Sequence, residues 1–417
     1  MSDNSAVETG EAKKKDKYLD KVVPTLFIGV GGTGAEVLWR VRRRILNKVW
    51  TGGLQDLRLE SLDQFPFAQF LHIDLDSSTL VETGRSSDDP LRSAVSFKLK
   101  ERNVNKFDLG KYIASTESLR SFPLLEEWFP LDFKIVAHSN INLMDGTVRS
   151  IRAISRLYFY DNYQDIKDAI QQTLASLLNQ VDNAEQHKKL GLTLEPSALR
   201  VVVVTSTAGG TGSGAFIDMG YLSKVLLKSS GASATSTKLV LMLPTGYTGA
   251  NEERTQANTY GALMELETCM CGGVSYISKW SESDDFKLPL RPYDDVYLLD
   301  TENVVGAKST LVESFNMVAD VLFDDFSTAD FANKKRSIGA CKNQHKVTPY
   351  SSRVDKRKYG DVKLTFSRAY SAFGQAILAV QKTKSEGIWL RNWVKKTHCS
   401  LPWTSCLQVI ANSDSRN

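Results

Sequence analysis

The sequence is poor in several features that define whole classes of protein. Its 417 residues include five cysteines and five histidines. Cys269 and Cys271 stand one residue apart, and Cys341, Cys399 and Cys406 supply no second pair at zinc-finger spacing. An odd, scattered set of thiols excludes a disulfide framework and reads as reduced cysteines in the cytoplasm. The histidines are too few and dispersed for a hydrolytic triad or a zinc site. No run approaches the ~20 apolar residues of a membrane span. The opening stretch, MSDNSAVETGEAKKKDKYLD, lacks the apolar centre of a signal peptide. Residues 1–20 therefore read as a flexible tail, with Lys13, Lys14 and Lys15 a solvated run. A large charge excess is missing too: 52 basic against 48 acidic residues leave +4. That excludes a strong global field for nucleic acid, and no direct nucleic-acid partner is expected.

What the sequence does have is alternation. VPTLFIGV (residues 23–30) is a short apolar run rich in branched side chains. Glycines follow, and then a helical pattern with Val37, Leu38, Val41, Ile45 and Val49 on one face. The run at 67–76 ends in acids. A helix at 163–181 leads to the strand LRVVVVT, glycines again, and a helix at 215–228. Strand 238–244, helix 251–269, strand 294–300 and helix 309–326 complete the series. The pattern predicts an α/β fold, a Rossmann-like parallel sheet with helices on both faces. Residues 89–130 are polar and poorly periodic and read as an insertion. The domain reading is a nucleotide-binding domain over 21–332, followed by a reduced C-terminal domain or tail over 333–417. Arg40, Arg42, Arg43 and Arg44 share a helix with apolar positions and read as an exposed face. Arg152 and Arg156 read as a solvated stripe.

Two glycine clusters follow strands and precede helices. The first, Gly29-Val30-Gly31-Gly32-Thr33-Gly34, fits G-x-G-x-x-G in the context that fingerprint requires. Bare backbone lets an anion approach free N–H groups at a helix start. Taken alone it also describes a tight strand–helix turn with no ligand. The second, Ala208-Gly209-Gly210-Thr211-Gly212-Ser213-Gly214, lacks the lysine of a Walker A loop and is no G-x-S-x-G elbow. Two such clusters on one sheet suggest one nucleotide gripped from two sides.

AGGTGSG resembles the signature loop of the tubulin superfamily, which includes the bacterial cell-division GTPase FtsZ. By its long insertions the chain looks closest to the divergent bacterial tubulin-like proteins. The resemblance runs over about residues 24–330 and implies GTP or GDP with Mg2+ as cofactors. IGVGGTGAEV looks like the first nucleotide loop. Asp74 and Asp76 stand where the family has Asn-x-Asp near the base side and the magnesium, with Asp76 reaching the metal through water. Gly146, Thr147 and Arg149 lie in what looks like the loop sensing the terminal phosphate. Glu252 or Glu253, with Arg254, would meet ribose and phosphates. Phe315 would stack on guanine and Asp320 would read its edge, with Ala319 in place of the family's Asn.

Each of these residues also has a plainer reading. Phe315 suits a core position. Asp74 and Asp76 could merely end a strand. Glu252 and Glu253 could be first-turn acids complementing a helix dipole. In the superfamily, an acidic loop of one subunit positions water on the nucleotide of the next. The string Ala329-Asp330-Phe331-Ala332-Asn333 offers Asp330 as the first acid, while Asn333 replaces the second. The resemblance thus implies a GTP-binding protein with slow, subunit-completed hydrolysis that assembles head to tail with itself, an open contact that need not close. The alternatives are a nucleotide-binding switch or scaffold that docks an unknown protein partner, and an NAD-dependent oxidoreductase using Asp74 or Asp76 on the ribose.

Overall fold

The computed structural model describes residues 20–50, 56–75, 91–103, 108–113, 122–126, 128–129, 151–179, 189–194, 197–247, 252–271, 275–277, 280–281, 287–302, 306, 308–327, 349–356, 361–367, 370–377 and 406–410. Strand β1 (Thr25–Val30) runs directly into helix α1 (Gly31–Asn47). Then come β2 (Ala68–Ile73) and the two-residue β3 (Arg102–Asn103), followed by α2 (Arg152–Asp161) and α3 (Tyr163–Asn179). Strand β4 (Ala198–Ser206) feeds α4 (Gly210–Ser229), and β5 (Ala234–Met242) precedes α5 (Glu252–Met270). Strand β6 (Asp295–Leu299), α6 (Leu311–Ser327) and β7 (Tyr370–Ser371) complete the domain.

The seven strands form one sheet in the order β7-β6-β5-β4-β1-β2-β3, every neighbouring pair parallel. Strands covered on both faces must be apolar on both, which is why residues 26–28 of β1 and residues 201–204 of β4 read as hydrophobic runs. Successive residues serve opposite cores. Leu26, Ile28 and Val30 pack with α2, α3, α4 and α5, while Phe27 packs on the other side with α1 and α6. Helix α4 is buried nearly all round, as suits a helix enclosed between a sheet and other helices. Truncating a fully buried residue such as Ile28 to alanine would cost about 2–5 kcal/mol.

Three departures from the sequence reading bear on function. Helix α4 begins at Gly210, five residues before the expected start, so most of its glycine cluster is the first turns of a helix. The stretch at 89–130 supplies the edge strand β3 and buries Leu109, Tyr112, Leu125 and Phe129 in the main core. Past residue 333, β7 adds the other edge strand, and an antiparallel ladder forms between Pro349–Asp355 and Val362–Ser367.

The arginines of α1 are also not a plain solvated face. Arg42 is fully buried between the rings of Phe70 and Phe97, 5.1 and 4.7 Å away. It donates from Nε to Val95 O and from Nη2 to Ser96 O, both at 2.8 Å, and its guanidinium pairs with Glu101 at 3.1 Å. Burial pulls its pKa down against the opposing pull of Glu101. Hydropathy patterning has no signal for an arginine whose partners are carbonyls 50 residues away.

Candidate functional site

The strand order reverses between β1 and β4: β2 and β3 extend one way, and β5, β6 and β7 the other. In open parallel sheets a crevice forms at such a switch point, beyond the carboxyl ends of the strands. Here it lies between the starts of α1 and α4, which pack on opposite faces of the sheet. A Cβ built on Gly31 would stand 3.5 Å from the backbone nitrogen of Gly212, so the two glycine clusters touch. Gly31 also has a φ of +75°, a left-handed conformation that favours glycine.

The glycines serve different ends. A Cβ on Gly34 would lie 2.6 Å from the backbone of Gly29 and from Val204 O, so Gly29 and Gly34 let α1 lie close on β1 and β4. A Cβ on Gly212 would strike Thr205 Oγ1 at 2.0 Å, and one on Gly214 would strike Arg152 O at 2.2 Å. These positions are glycine because the fold needs them bare. Gly209 differs: its φ of −86° suits any residue, and an added Cβ would meet nothing within 4 Å. Bareness there keeps space clear at the start of α4. Among the described residues no side chain caps α1 or α4, whose preceding residues are Val30 and Gly209. First-turn N–H groups left free in this way, with a partial positive charge behind them, are what an anion binds.

Hydroxyls tie the strand ends together. Thr33 Oγ1 lies 2.7 Å from the Tyr247 hydroxyl and donates to Ser206 Oγ at 3.2 Å. This joins α1, the end of β4 and the turn after β5. Burial pushes the Tyr247 phenol up to about 12, against the pull of its bonds to Thr33 and Ser206. Thr205 donates to Val30 O at 2.9 Å, stitching β4 to β1. Thr259 on α5 donates to Thr207 Oγ1 at 2.8 Å, bringing α5 alongside the approach to α4. Tyr247, Ser206, Thr207 and Thr259 were not among the expected site residues. The one sequence signal was the position of Tyr247, Ser206 and Thr207 at the ends of strand runs, in PTGY and TSTAGG; Thr259, within α5, had none.

Asp74 follows β2 and is 1% exposed. Its Oδ1 accepts from Thr211 at 2.8 Å, so it is joined to the second glycine cluster rather than left as a plain strand end. His72 Nε2 lies 3.7 Å from Asp74 Oδ2, and the imidazole lies 5.4 Å from the Phe97 ring, tilted at 34°. Among the described residues neither ring nitrogen of His72 has a hydrogen-bond partner. A bond from Thr211 to Asp74 also involves the second glycine helix in the acid's environment, a role that a dinucleotide fingerprint on α1 alone does not give it.

Glu252, Glu253 and Arg254 lie exposed at the start of α5. Phe315 is 6% exposed and Ala319 fully buried, both in the core shared with α1. The Arg40 guanidinium lies 5.5 Å from the Phe315 ring centroid. Asp320 is ion-paired with Arg44, whose Nη2 also donates to Asn316 O at 3.0 Å. Asp76, Gly146, Thr147, Arg149 and Asp330 lie outside the described residues. Of the arginines in this region, Arg152 is in contact with the second glycine helix. It donates from Nε to Ser213 O at 3.0 Å and forks onto both carboxylate oxygens of Glu265. Arg156 pairs with buried Asp218 at 3.2 Å, so neither arginine is a solvated stripe. Among the described residues no group of three His, Cys, Asp or Glu side chains could hold a metal ion by itself. Nor is any helix among them long and apolar enough to cross a membrane.

A family model described as "Tubulin like" matches residues 26–384. No curated protein matches the chain in sequence. Among solved structures, the chain is similar to CetZ from Methanosaeta thermophila, at 14% identity over 73% of this chain and 53% of that one, with a TM-score of 0.34. It is similar to TubZ of Bacillus thuringiensis serovar israelensis in a GTPγS-form protofilament, at 12% identity, 73% and 55% coverage and a TM-score of 0.35. It is similar to the empty FtsZ dimer of M. jannaschii, at 12% identity, 84% and 62% coverage and a TM-score of 0.35. The chain spans 53% to 62% of the lengths of these three.

Proposed function

The chain belongs to the tubulin-like family, and from that premise we propose that it binds GTP or GDP with Mg2+ across the crevice between α1 and α4. The observation that carries this reading is the meeting of two uncapped, glycine-lined helix starts at the switch point of a parallel sheet. The phosphates lie on the amides around Gly31, Gly32, Gly209 and Gly210, with no side chain interposed. Asp76 would hold Mg2+ through water, and the ion would supply neutralisation of the phosphate charge. Arg254 and the acids beside it meet the ribose and phosphates from α5. Phe315 and Asp320 form the base end, with Arg40 and Arg44 beside them.

Self-assembly follows from the same reading. The solved neighbours include protofilaments, and in this chain head-to-tail contact in the cytoplasm would bring Asp330 of one subunit toward the nucleotide of the next. With Asn333 in place of a second acid, hydrolysis is slow, because a neutral amide activates water less well than a carboxylate. A switch that docks a partner without polymerising is the second reading. It is favoured by side-chain contacts from α1 that hold α6, among them Arg40 on Phe315 and Arg44 on Asp320. A ligand that displaces them would move α6 against α1.

The test is thermal unfolding in Mg2+ with GTP, ATP or NAD in turn. A ligand at about 100 times its dissociation constant stabilises by about 2.7 kcal/mol. A rise in Tm with GTP alone is expected. A rise with NAD alone would overturn the reading. Sedimentation with and without GTP then separates filament from switch, and phosphate release at rising protein concentration reports subunit-completed hydrolysis.

A further inference from the structure

Charge near zero over the whole chain conceals an uneven distribution. Between Lys334 and Arg368 stand eleven of the 52 basic residues, and of the 48 acids only Asp355 and Asp361. The rest of the chain is therefore net acidic. Within this basic span lies the antiparallel hairpin of Pro349–Asp355 and Val362–Ser367, joined in sequence by KRKYGD. It is a sheet of two strands, and among the described residues neither outer edge has a partner.

Residues opposite each other in an antiparallel ladder share a side, and the side alternates along each strand. Ser352 stands opposite Thr365, and Val354 opposite Lys363. Lys356 and Asp361 continue that side at the two-residue period. Ser352, Val354, Lys356, Asp361 and Lys363 are all exposed, and Thr365 is half-buried. The other side carries Leu364, which is 2% exposed, and half-buried Phe366. The hairpin thus rests on the body through its Leu364 side and turns its lysine side to solvent. Among the described residues neither Lys356 nor Lys363 has an ion pair.

Net charge near zero gave no reason to expect a nucleic-acid partner, whereas a local excess on an exposed ribbon does. An anionic membrane is held by bulky apolar anchors beside the cations, and this side offers Val354 alone among the described residues. A two-stranded ribbon fits the major groove of B-form DNA, and lysine ammoniums with serine and threonine hydroxyls are donors to its phosphates. We propose that the hairpin binds duplex DNA without regard to sequence, lying along the major groove with Ser352, Lys356, Lys363 and Thr365 on the phosphates. The basic residues around it in sequence add long-range attraction. No residue of the glycine crevice takes part, so the proposal does not rest on the nucleotide reading.

The experiment follows the anisotropy of a labelled DNA duplex of about 25 base pairs as the full chain is added without nucleotide, at salt from about 50 to 200 mM. A dissociation constant of about 1–100 µM near 100 mM salt is expected, weakening steeply as salt rises. Lys356→Gln with Lys363→Gln should leave Tm unchanged and weaken binding about tenfold. It should also reduce the slope of log affinity against log salt by about two. Lys356→Arg with Lys363→Arg should bind as the parent does. Lys228→Gln with Lys287→Gln, which removes two exposed lysines elsewhere, should change little. A salt slope unaltered by the hairpin variant, an equal loss in both glutamine variants, or no binding at about 50 mM salt would each overturn the proposal. Equal or tighter binding to phosphatidylserine vesicles or to polyglutamate would overturn it too, assigning the surface to a membrane or an acidic protein.

Discussion

At the glycine end of the crevice two helix starts meet through glycine backbone, with the Thr211 side chain beside the contact, whereas at the α6 end Phe315 and Asp320 are already covered by Arg40 and Arg44. On the nucleotide reading, the two ends would bind by different means. The first offers backbone amides whose positions are fixed by close packing of α1 and α4. The second offers side chains whose groups are engaged within the fold and must be exchanged for a ligand's. A preformed end contributes affinity without rearrangement, while an engaged end adds selectivity at the cost of breaking existing bonds.

The largest expected effect tests whether the glycine end is fixed by packing. Gly212→Ala would drive a Cβ into Thr205 Oγ1 and to 2.9 Å from Ser206 O. A loss of about 3 kcal/mol or more is expected, read as a large fall in the midpoint of chemical denaturation. If that midpoint is unchanged, the tight seating of α4 on β4 is wrong. Gly209→Ala is the contrast three residues away, where the new methyl meets no protein atom. Stability should hold within about 0.5 kcal/mol. Affinity for GTP should fall about tenfold, the ~1.4 kcal/mol that a methyl wedged between amides and phosphate can cost. Undiminished GTP affinity would show that the phosphates lie elsewhere.

The α6 end should respond in kind rather than in degree. Asp320→Asn removes the carboxylate that Arg44 holds and that the nucleotide reading assigns to guanine. The expected result is a severalfold loss of preference for GTP over ATP, with little change in the binding of inorganic pyrophosphate. An equal loss for both nucleotides would assign Asp320 to structure alone.

The smallest effect is set by pH. Burial pushes the Tyr247 phenol up from its ordinary value of 10 to about 12 in the folded protein. Its contribution to stability is therefore fully present below pH 10 and is lost as pH rises from 10 to 12, because the unfolded chain gives up its proton first. Tyr247→Phe should cost about 1 kcal/mol at pH 7, from the lost bond to Thr33, and flatten the alkaline part of the curve. An alkaline slope unchanged in the variant would assign that slope to other tyrosines.

The order of strands and helices was legible because strands buried on both faces are apolar throughout and helices repeat every 3.6 residues. The glycine clusters were legible because few side-chain types permit two backbones to touch. Their division of labour was not. Gly209 and Gly212 are the same letter in the sequence, and only the neighbours of each missing Cβ separate the one left clear from the one packed tight. The start of α4 was read five residues late because glycine is a poor helix former in isolation, whereas here tertiary packing on β4 holds the turn. Arg42 was misread because charge patterning assumes water as the partner.

By itself, then, the sequence determined the α/β class, the alternation that builds a parallel sheet, and the two bare strand–helix junctions, since each depends on composition or spacing along the chain. The tertiary structure alone decided that the junctions meet at one switch point and that Asp74 turns to Thr211, 137 residues away in sequence. It alone decided that α6 is held by the arginines of α1. Those facts depend on residues distant in sequence becoming neighbours in space, and no local pattern carries that information.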